Sequence, residues 1–336
     1  MAGGNTMSRY ARQICLPEVG DTGQAAIRSA HVLVVGAGGL GAPVLQYLVG
    51  AGVGQITLVD GDTVALSNLH RQTLFREADV GSLKAQAAAQ ALCALNGDCV
   101  INALDVWLDP VNAPALVAQC TLVLDCADSF ATSYTLSDTC YAARVPLISA
   151  SVLGFSGYVA GFCATAPSLR AVFPDLPERA ATCATAGVMG PVVGMLGAAM
   201  AQMALAQLIG QTPSPLGQLL SFDMQTMRTG GFRFDTAPEP AVDLKFIAAS
   251  EVSDADFVIE LRDVIETPQP VSTTAQRFSV AEFAAAKLTP SIEQRAVFAC
   301  LSGLRAWQAG SHLRSYWDGD ICLIAMGETP PTERET

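Results

Sequence analysis

Short apolar runs separated by longer helix-like segments organise the first half of the chain. These runs are bounded by glycine, proline or polar residues and cover residues 32–35, 55–59, 100–103, 122–125 and 146–150. Apolar runs of this length without polar alternation are typical of strands that are buried on both faces. The pattern predicts an α/β fold with a doubly wound, Rossmann-like and mostly parallel sheet. The more strand-like stretch from 152 to 165 predicts an antiparallel extension of that sheet.

A glycine-rich turn, GAGGLG, follows the first apolar run and precedes a predicted helix that ends near Ala51. Glycine lets the chain turn sharply, and it lets backbone N–H groups at a helix start approach a phosphate closely. The predicted nucleotide-binding glycines are Gly36, Gly38, Gly39 and Gly41. This motif alone leaves an NAD(P)-dependent or flavin-dependent oxidoreductase as an open alternative, because such a turn serves several nucleotides.

The loop after the second apolar run argues against the oxidoreductase. Asp60 ends that run where an acidic residue meets the ribose hydroxyls in such folds. Further polar side chains follow in order: Asp62, Asn68, Arg71, Gln72 and Lys84. Guanidinium and amide donors suit the dispersed charge of a triphosphate, and a lysine adds a mobile point charge. Hydride transfer has no evident use for this set, so the loop predicts an ATP site.

A second acidic motif, DCADSF at residues 125–130, follows the run at 122–125. It places Asp125 and Asp128 at the end of a predicted buried strand. Mg²⁺ takes few carboxylates and otherwise binds phosphate oxygens. Asp128 is therefore the predicted magnesium ligand.

These motifs resemble the ThiF/MoeB/HesA family, the bacterial relatives of ubiquitin-activating enzymes. The resemblance covers about residues 8–235 and rests on RYARQ at 9–13, GAGGLG, the DxDxVxxSNLxRQ run at 60–72, Lys84, DCADSF, and Cys183 in ATCATAGVMGPVVG. It implies ATP-dependent adenylation of the C-terminal glycine of a ubiquitin-like sulfur-carrier protein ending in Gly-Gly, which prepares the carrier for thiocarboxylate formation. The motifs fit a thiamine-pathway or a molybdopterin-pathway carrier, and we lean towards the thiamine or generic sulfur-carrier label.

The resemblance also assigns two residues whose spacing alone indicates nothing special. Arg12 reads as a surface arginine, but the resemblance implies that it reaches the ATP γ-phosphate of the other subunit, and therefore a homodimer. Cys183 reads as a structural thiol, but the resemblance puts it on a mobile crossover loop with a role in acyl or sulfur transfer. That role is not needed for adenylation. The sulfur is expected from a cysteine desulfurase, from Cys300 or through Cys183.

Zinc is not expected, although family members commonly bind it through two CxxC pairs. The first pair aligns here with residues 168–171, Ser-Leu-Arg-Ala, and the second should follow Phe232, where FDTAPEP has no cysteine. A closed tetrahedral zinc site needs two pairs of thiolates. The predicted ligands are therefore ATP and Mg²⁺ alone.

The predicted adenylation domain, residues 1–235, is followed by a linker at 236–245, a shortened rhodanese-like domain at 246–328 and a flexible tail at 329–336. The resemblance in the second domain rests on VIELRDV at 258–264 and VFACLSGLR at 297–305. Cys300 in a tight loop at a helix start would be surrounded by N–H donors that stabilise a thiolate or persulfide. Leu301 stands where an arginine is common, so a degenerate domain kept for packing or docking is the alternative.

Composition limits the partners and the location. A net charge of −12 without a basic stripe argues against nucleic acid, including a tRNA substrate. Ten scattered cysteines and no signal peptide predict a cytoplasmic protein. Residues 186–210 are long and nearly uncharged, but Pro191, Gln202 and Gln207 favour a buried helix over a membrane span. A non-catalytic carrier-binding scaffold of the same fold is the remaining alternative, and the retained phosphate-facing side chains disfavour it.

Overall fold

The computed structural model describes residues 6–176, 187–241, 244–291 and 293–327, which form two sheets flanked by helices. The first sheet contains β1 (His31–Val35), β2 (Gln55–Val59), β3 (Val100–Leu104), β4 (Leu122–Asp125), β5 (Leu147–Leu153), β6 (Ser156–Phe162), β7 (Gln218–Asp223) and β8 (Arg228–Arg233). The second contains β9 (Leu244–Phe246), β10 (Phe257–Glu260), β11 (Gln276–Arg277), β12 (Ala296–Cys300) and β13 (Ile321–Ala325). The helices are α1 (Thr6–Ile14), α2 (Gly20–Ser29), α3 (Gly41–Ala51), α4 (Lys84–Leu95), α5 (Ala113–Val117), α6 (Phe130–Ala143), α7 (Leu169–Val172), α8 (Gly190–Leu208), α9 (Val280–Ala286) and α10 (Leu304–Arg314).

The first sheet has the order β3-β2-β1-β4-β5-β6-β7-β8. Strands β1 to β5 are parallel, and β6 to β8 continue the sheet in antiparallel pairs. The predicted parallel sheet with an antiparallel extension is confirmed. The strand order reverses between β1 and β4, so the chain leaves these two strands in opposite directions. In open α/β sheets this point forms a crevice at the carboxyl ends of the strands, where ligands bind.

The long apolar helix α8 packs inside the first sheet's core. It is long and apolar enough to cross a membrane, but half of this apolar stretch is buried within the protein. It contacts α3, β5 and β6, and its buried residues include Val193, Leu196 and Met200. An apolar helix whose sheet-facing side is buried in this way is typical of a protein core.

The second sheet has the order β11-β10-β12-β13-β9 and is parallel throughout. Its strand β9 starts at Leu244, so the last two residues of the predicted linker already belong to this sheet. One continuous hydrophobic cluster includes Leu33 and Val123 of the first sheet and Phe298 of the second. The second sheet therefore packs directly against the first unit.

Polar contacts occupy the junction where the family's first CxxC would lie. Glu239 accepts hydrogen bonds from the backbone N–H and the hydroxyl of Ser168, each at 2.6 Å. The buried Arg170 guanidinium pairs with Asp138 at 2.6 Å and donates to the carbonyl of Leu244. It also lies 4.7 Å from the ring centroid of Tyr134. These contacts join the two segments that the two CxxC pairs would otherwise connect; the absence of zinc stays a prediction.

Candidate active site

The GAGGLG turn lies at the carboxyl end of β1 and leads directly into α3. Gly36 has a φ of 98°, and a Cβ there would lie 2.7 Å from the carbonyl oxygen of Cys126. A Cβ at Gly41 would overlap the carbonyl oxygen of Gly36. Both positions thus require glycine, because the obstructing atoms are backbone. The turn is held tightly against the segment that follows β4.

The two middle glycines face side chains from the loop after β2. A Cβ at Gly38 would have only the Gln72 amide nitrogen near it, at 3.7 Å. A Cβ at Gly39 would lie 3.5 Å from Cγ of Arg71 and 2.6 Å from a methyl group of Val193. Arg71 and Gln72 therefore lie beside the turn, as a phosphate site at this helix start would need.

Asp60 lies at the end of β2 and caps the glycine-rich turn. Its carboxylate accepts a hydrogen bond from the Ala37 N–H at 2.7 Å and another from the Asp62 N–H at 2.9 Å. Burial raises the pKa of Asp60, although the two backbone donors and the charge of Lys84 oppose this shift. The carboxylate is fixed at the crevice edge, in the position expected of a ribose ligand.

Lys84 is delivered to the same edge by a short antiparallel bridge. Thr63 pairs with Leu83, and the Lys84 N–H donates to the carbonyl of Asp62 at 2.9 Å. The Lys84 ammonium forms an ion pair of 2.5 Å with the Asp62 carboxylate, and its side chain is only 8% exposed. The stem of the lysine is thus packed and its charged end is held close to Asp60.

The SNLxRQ loop starts with a 3₁₀ turn at Leu66–Asn68. The side-chain oxygen of Asn68 accepts a hydrogen bond from the Ala65 N–H at 3.4 Å, so it stabilises the turn. Arg71 donates to the carbonyl of Ser67 at 3.2 Å, and it lies 2.8 Å from the ring nitrogen Nε2 of His70. These weak or exposed contacts orient the guanidinium without neutralising its charge.

Gln72 places a buried polar side chain beside the glycine-rich turn. The residue is only 4% exposed, and its side-chain oxygen has no hydrogen-bond partner among the described residues. A buried polar atom without a partner costs free energy, and such atoms occur where a ligand completes the bonding. The oxygen needs a donor such as a hydroxyl group of a nucleotide, whereas the amide nitrogen, which faces Gly38, is the atom that can donate to a phosphate.

Replacing Gln72 with leucine is expected to keep or raise the melting temperature while weakening ATP binding by about tenfold, because the change removes an unpaired buried acceptor along with a ligand contact. The buried Gln24 offers a matched control, since its amide contacts Gln13 and the carbonyl of Ala51. Gln24→Leu should lower the melting temperature and leave ATP affinity unchanged. Thermal melts and ATP titrations of both variants check this, and a destabilised Gln72→Leu would contradict it.

Asp125 and Asp128 follow β4 but occupy different environments. Asp128 is exposed at the start of α6, beside the crevice. Asp125 is fully buried, with its carboxylate accepting hydrogen bonds from the Ser149 hydroxyl at 2.8 Å and the Ala127 N–H at 3.2 Å. Burial raises the pKa of Asp125, and the charge of Asp128 adds to this shift. The exposed carboxylate is the one available to a metal ion at this edge.

Asp125→Asn is expected to stabilise the fold at pH 7 by about 2 °C or more, because a buried carboxylate with a raised pKa opposes folding once it is ionised. Asparagine can accept from Ala127 and donate to Ser149. The wild-type protein should lose stability as the pH rises from about 4 through the raised pKa, and the variant should not. Melting curves from pH 4 to 8 measure this; equal pH dependence in both proteins would refute it.

Arg12 does not reach the site of its own chain. In α1, Gln13 donates to the carbonyl of Ala51 at 2.8 Å, and Tyr10 accepts a hydrogen bond from Asn96. This packing places α1 at the carboxyl end of α3, whereas the GAGGLG turn lies at its amino end. The eleven residues of α3 separate the two ends by about 16 Å. The exposed Arg12 therefore belongs to another surface of the chain.

Of the two candidate cysteines, Cys183 lies outside the described residues. Cys300 is fully buried at the end of β12, and its Sγ accepts hydrogen bonds from the N–H groups of Gly303 at 3.1 Å and Ala306 at 3.3 Å. The Arg305 guanidinium is close enough to Cys300 for the two side chains to interact electrostatically, and two hydrogen bonds of 2.6 and 2.7 Å hold it against Glu266. The predicted ring of N–H donors is present, and Arg305 adds a positive charge that the sequence reasoning did not use.

The chain matches characterised proteins along most of its first unit. The family model described as the ThiF family matches residues 10–244. Molybdopterin-synthase adenylyltransferase of Escherichia coli K12 is 40% identical over 222 residues, which are 66% of this chain and 89% of that protein. SAMP-activating enzyme E1 of Haloferax volcanii is 38% identical over 234 residues, which are 69% and 85% of the two chains. The chain belongs to the ThiF family.

This ThiF-family chain is an adenylyltransferase, the class for which its relatives are named. Adenylyltransferase and sulfurtransferase MOCS3 of Bos taurus is 46% identical over 220 residues, and this chain spans 48% of its length. Among solved structures, E. coli MccB aligns with a TM-score of 0.63 at 20% identity, covering 70% of this chain and 72% of that one. PaaA aligns with a TM-score of 0.59 at 20% identity, covering 69% and 74%. These two structures support the fold alone.

Proposed function

We propose that this chain uses ATP to adenylate the C-terminal glycine of a ubiquitin-like sulfur-carrier protein. The observation that carries the proposal is the buried Gln72 side chain beside the open glycine-rich turn, whose oxygen has no partner among the described residues, with Arg71 next to it and Asp60 at the adjacent strand end. A scaffold that binds no nucleotide has no reason to retain a buried acceptor that opposes folding.

In the proposed reaction the carrier's terminal carboxylate attacks the α-phosphorus of ATP, and pyrophosphate leaves from the opposite side. Asp60 holds the ribose, and the N–H groups of the turn face the phosphates. The phosphate charge is met by Asn68, Arg71, Gln72 and Lys84. Since the protein forms no covalent bond in this step, positioning and electrostatic stabilisation supply the rate enhancement. Lys84 needs only one of its three donors for Asp62, so two remain for a phosphate.

Asp128 is the residue that would hold Mg²⁺. Its exposed carboxylate follows β4, next to the turn after β1, and one carboxylate combined with phosphate oxygens suits this ion. When bound, Mg²⁺ neutralises charge that develops on the phosphates. The negative charge of Asp128 also lies near Asp125, and a cation at this edge would relieve that repulsion.

A homodimer completes the site in this proposal. Arg12 lies on α1 at the carboxyl end of α3, and the length of α3, about 16 Å, separates that end from the turn, so Arg12 can act on a phosphate only when a second chain brings it there. The exposed face of α8 with Tyr47 of α3 forms a shallow groove lined by Ala198, Ala201, Gln202 and Leu205. Tyr47 is 58% exposed. We assign this apolar face to the contact between the two chains.

The carrier is expected to end in Gly-Gly. The relatives named above favour a molybdopterin-type carrier over the thiamine-type carrier towards which the sequence interpretation leaned. Both remain candidates, because the adenylation motifs do not distinguish one carrier from the other.

We further propose that Cys300 passes sulfur to the adenylated carrier. The terminal sulfur of a Cys300 persulfide attacks the acyl carbon, which forms a carbon–sulfur bond as AMP leaves. A second thiol then attacks the Cys300 sulfur and breaks the sulfur–sulfur bond of the former persulfide, which releases the thiocarboxylate and leaves a disulfide at Cys300. A cysteine desulfurase would load the persulfide, and Cys183 is the alternative carrier of the acyl group. The donors around Cys300 Sγ stabilise such an anion.

The positions of two helices support transfer within one chain. A Cβ at Gly303, which precedes α10, would lie 3.3 Å from Cβ of Ala131 in the first turn of α6. Further along both helices, the rings of Trp307 and Tyr134 are 5.4 Å apart. The helices therefore run side by side in the same direction, and their amino ends, which follow Cys300 and Asp128, lie next to each other.

Mass spectrometry of a carrier incubated with the protein, ATP and Mg²⁺ tests the proposal. We expect the carrier to gain one adenylyl group, and no gain with any Gly-Gly carrier would favour a scaffold. Adding a desulfurase and cysteine should convert the adenylate to a thiocarboxylate. Cys300→Ser should block only this second step, whereas Cys322→Ser should not, because burial raises the pKa of Cys322 to about 11 and keeps it a thiol.

A further inference from the structure

Trp107 is a large aromatic residue left exposed at the edge of the nucleotide crevice. It follows β3 by three residues and is 60% exposed. A Cβ placed on Gly61 would lie 2.9 Å from Nε1, 3.0 Å from Cδ1 and 3.0 Å from Cδ2 of its indole. Nearly equal distances to three atoms of the five-membered ring mean that Gly61 lies against a face of the ring and not its edge. One face is covered, and the exposed area leaves the other open.

The backbone around Trp107 is fixed by hydrogen bonds. The Asp60 N–H donates to the carbonyl of Leu104 at 3.2 Å, which ties the start of this loop to the ribose-binding residue. The carbonyl of Trp107 accepts from the Asn112 amide at 2.8 Å. Asn112 and Asp109 exchange two further bonds, at 3.0 and 2.8 Å. The indole is therefore held against Gly61, the residue that follows Asp60 in the sequence.

We propose that the open face of Trp107 stacks on the adenine base of the bound nucleotide. This inference rests on the proposed function, because it assumes that Asp60 binds the ribose. The base is bonded directly to the ribose, so it must lie within about the width of the sugar ring from the Asp60 carboxylate. Gly61, which contacts the indole, is the residue next to Asp60. Stacking of a base on an aromatic side chain strengthens its binding. A two-ring indole overlaps a purine more fully than a pyrimidine, so Trp107 selects for purines.

Intrinsic fluorescence tests this directly, because the chain has three tryptophans: Trp107, Trp307 and Trp317. ATP should change the emission of the wild-type protein and of Trp317→Phe, but not that of Trp107→Phe. Trp107→Ala should weaken ATP binding by about tenfold and reduce the preference for ATP over CTP. Pyrophosphate binding should stay unchanged, because it involves no base. Gly61→Ala should weaken ATP binding in the same direction by pushing the ring away.

Several outcomes would overturn the proposal. If ATP binds Trp107→Ala as tightly as the wild type, the stacking assignment is wrong and the adenylation function stands. Val106 and Val111 are also exposed beside Trp107; if Trp107→Ala raises only the KM for the carrier, the surface docks the carrier instead. If the wild-type protein binds no ATP, the stacking assignment and the proposed function both fail.

Discussion

Asp128→Ala is expected to lower carrier adenylation by about a thousandfold or more while leaving the fold intact. The carboxylate is exposed, so its removal creates no cavity. It is also the residue available to hold Mg²⁺ against the phosphates, because Asp125 is buried behind it and already bonded to Ser149 and Ala127. Release of pyrophosphate in the presence of carrier, ATP and Mg²⁺ measures the loss.

Asp254→Ala is the matched control for this change. Asp254 is an exposed aspartate in the second unit, so its removal takes away the same charge without touching the crevice. The control should keep full activity, and both variants should melt near the wild-type temperature. An Asp128→Ala protein with wild-type activity at saturating Mg²⁺ would show that the metal assignment is wrong.

Arg12→Ala is expected to lower adenylation by about a hundredfold or more, because a positive charge supplied by the second subunit stabilises charge on the phosphates. The position of α1 at the far end of α3 makes a sharper test possible. A mixture of two inactive proteins, Arg12→Ala and Asp128→Ala, should regain activity, because each heterodimer contains one site with both residues intact.

The recovery in that mixture has a predicted size. After free exchange about half of the dimers are heterodimers, and each has one working site of two, so activity should reach about a quarter of the wild-type value. Arg9→Ala is the control, since Arg9 lies in the same helix and donates to the carbonyl of Leu95. No recovery in a mixture shown to exchange subunits would contradict action in trans.

The sequence predicts the strands and the turn of the nucleotide site well, because glycine-rich turns and apolar strands can be recognised from short stretches of sequence. The boundaries of β2 and β4, residues 55–59 and 122–125, follow directly from the apolar runs. The GAGGLG turn could be placed because Gly36 and Gly41 are required by backbone contacts that any such turn makes.

Residues whose roles depend on distant partners were harder to predict. Arg305 follows Cys300 by five residues, and its spacing in the Cys-x-x-Gly-x-Arg run was a signal that could have been used. Trp107 had no such signal, because its exposure depends on the loop after β3 folding over Gly61. The Ser168 to Glu239 contact joins residues that are 71 positions apart, so the local sequence around either residue does not indicate it.

The most direct test of the central claim is carrier-dependent exchange of pyrophosphate into ATP. The purified protein would be incubated with Mg²⁺, labelled pyrophosphate and either a molybdopterin-type or a thiamine-type carrier, each compared with a version lacking its last glycine. Formation of the acyl-adenylate is reversible, so we predict exchange with one intact carrier and none with its truncated form. ATP binding without exchange for any intact carrier would contradict the account.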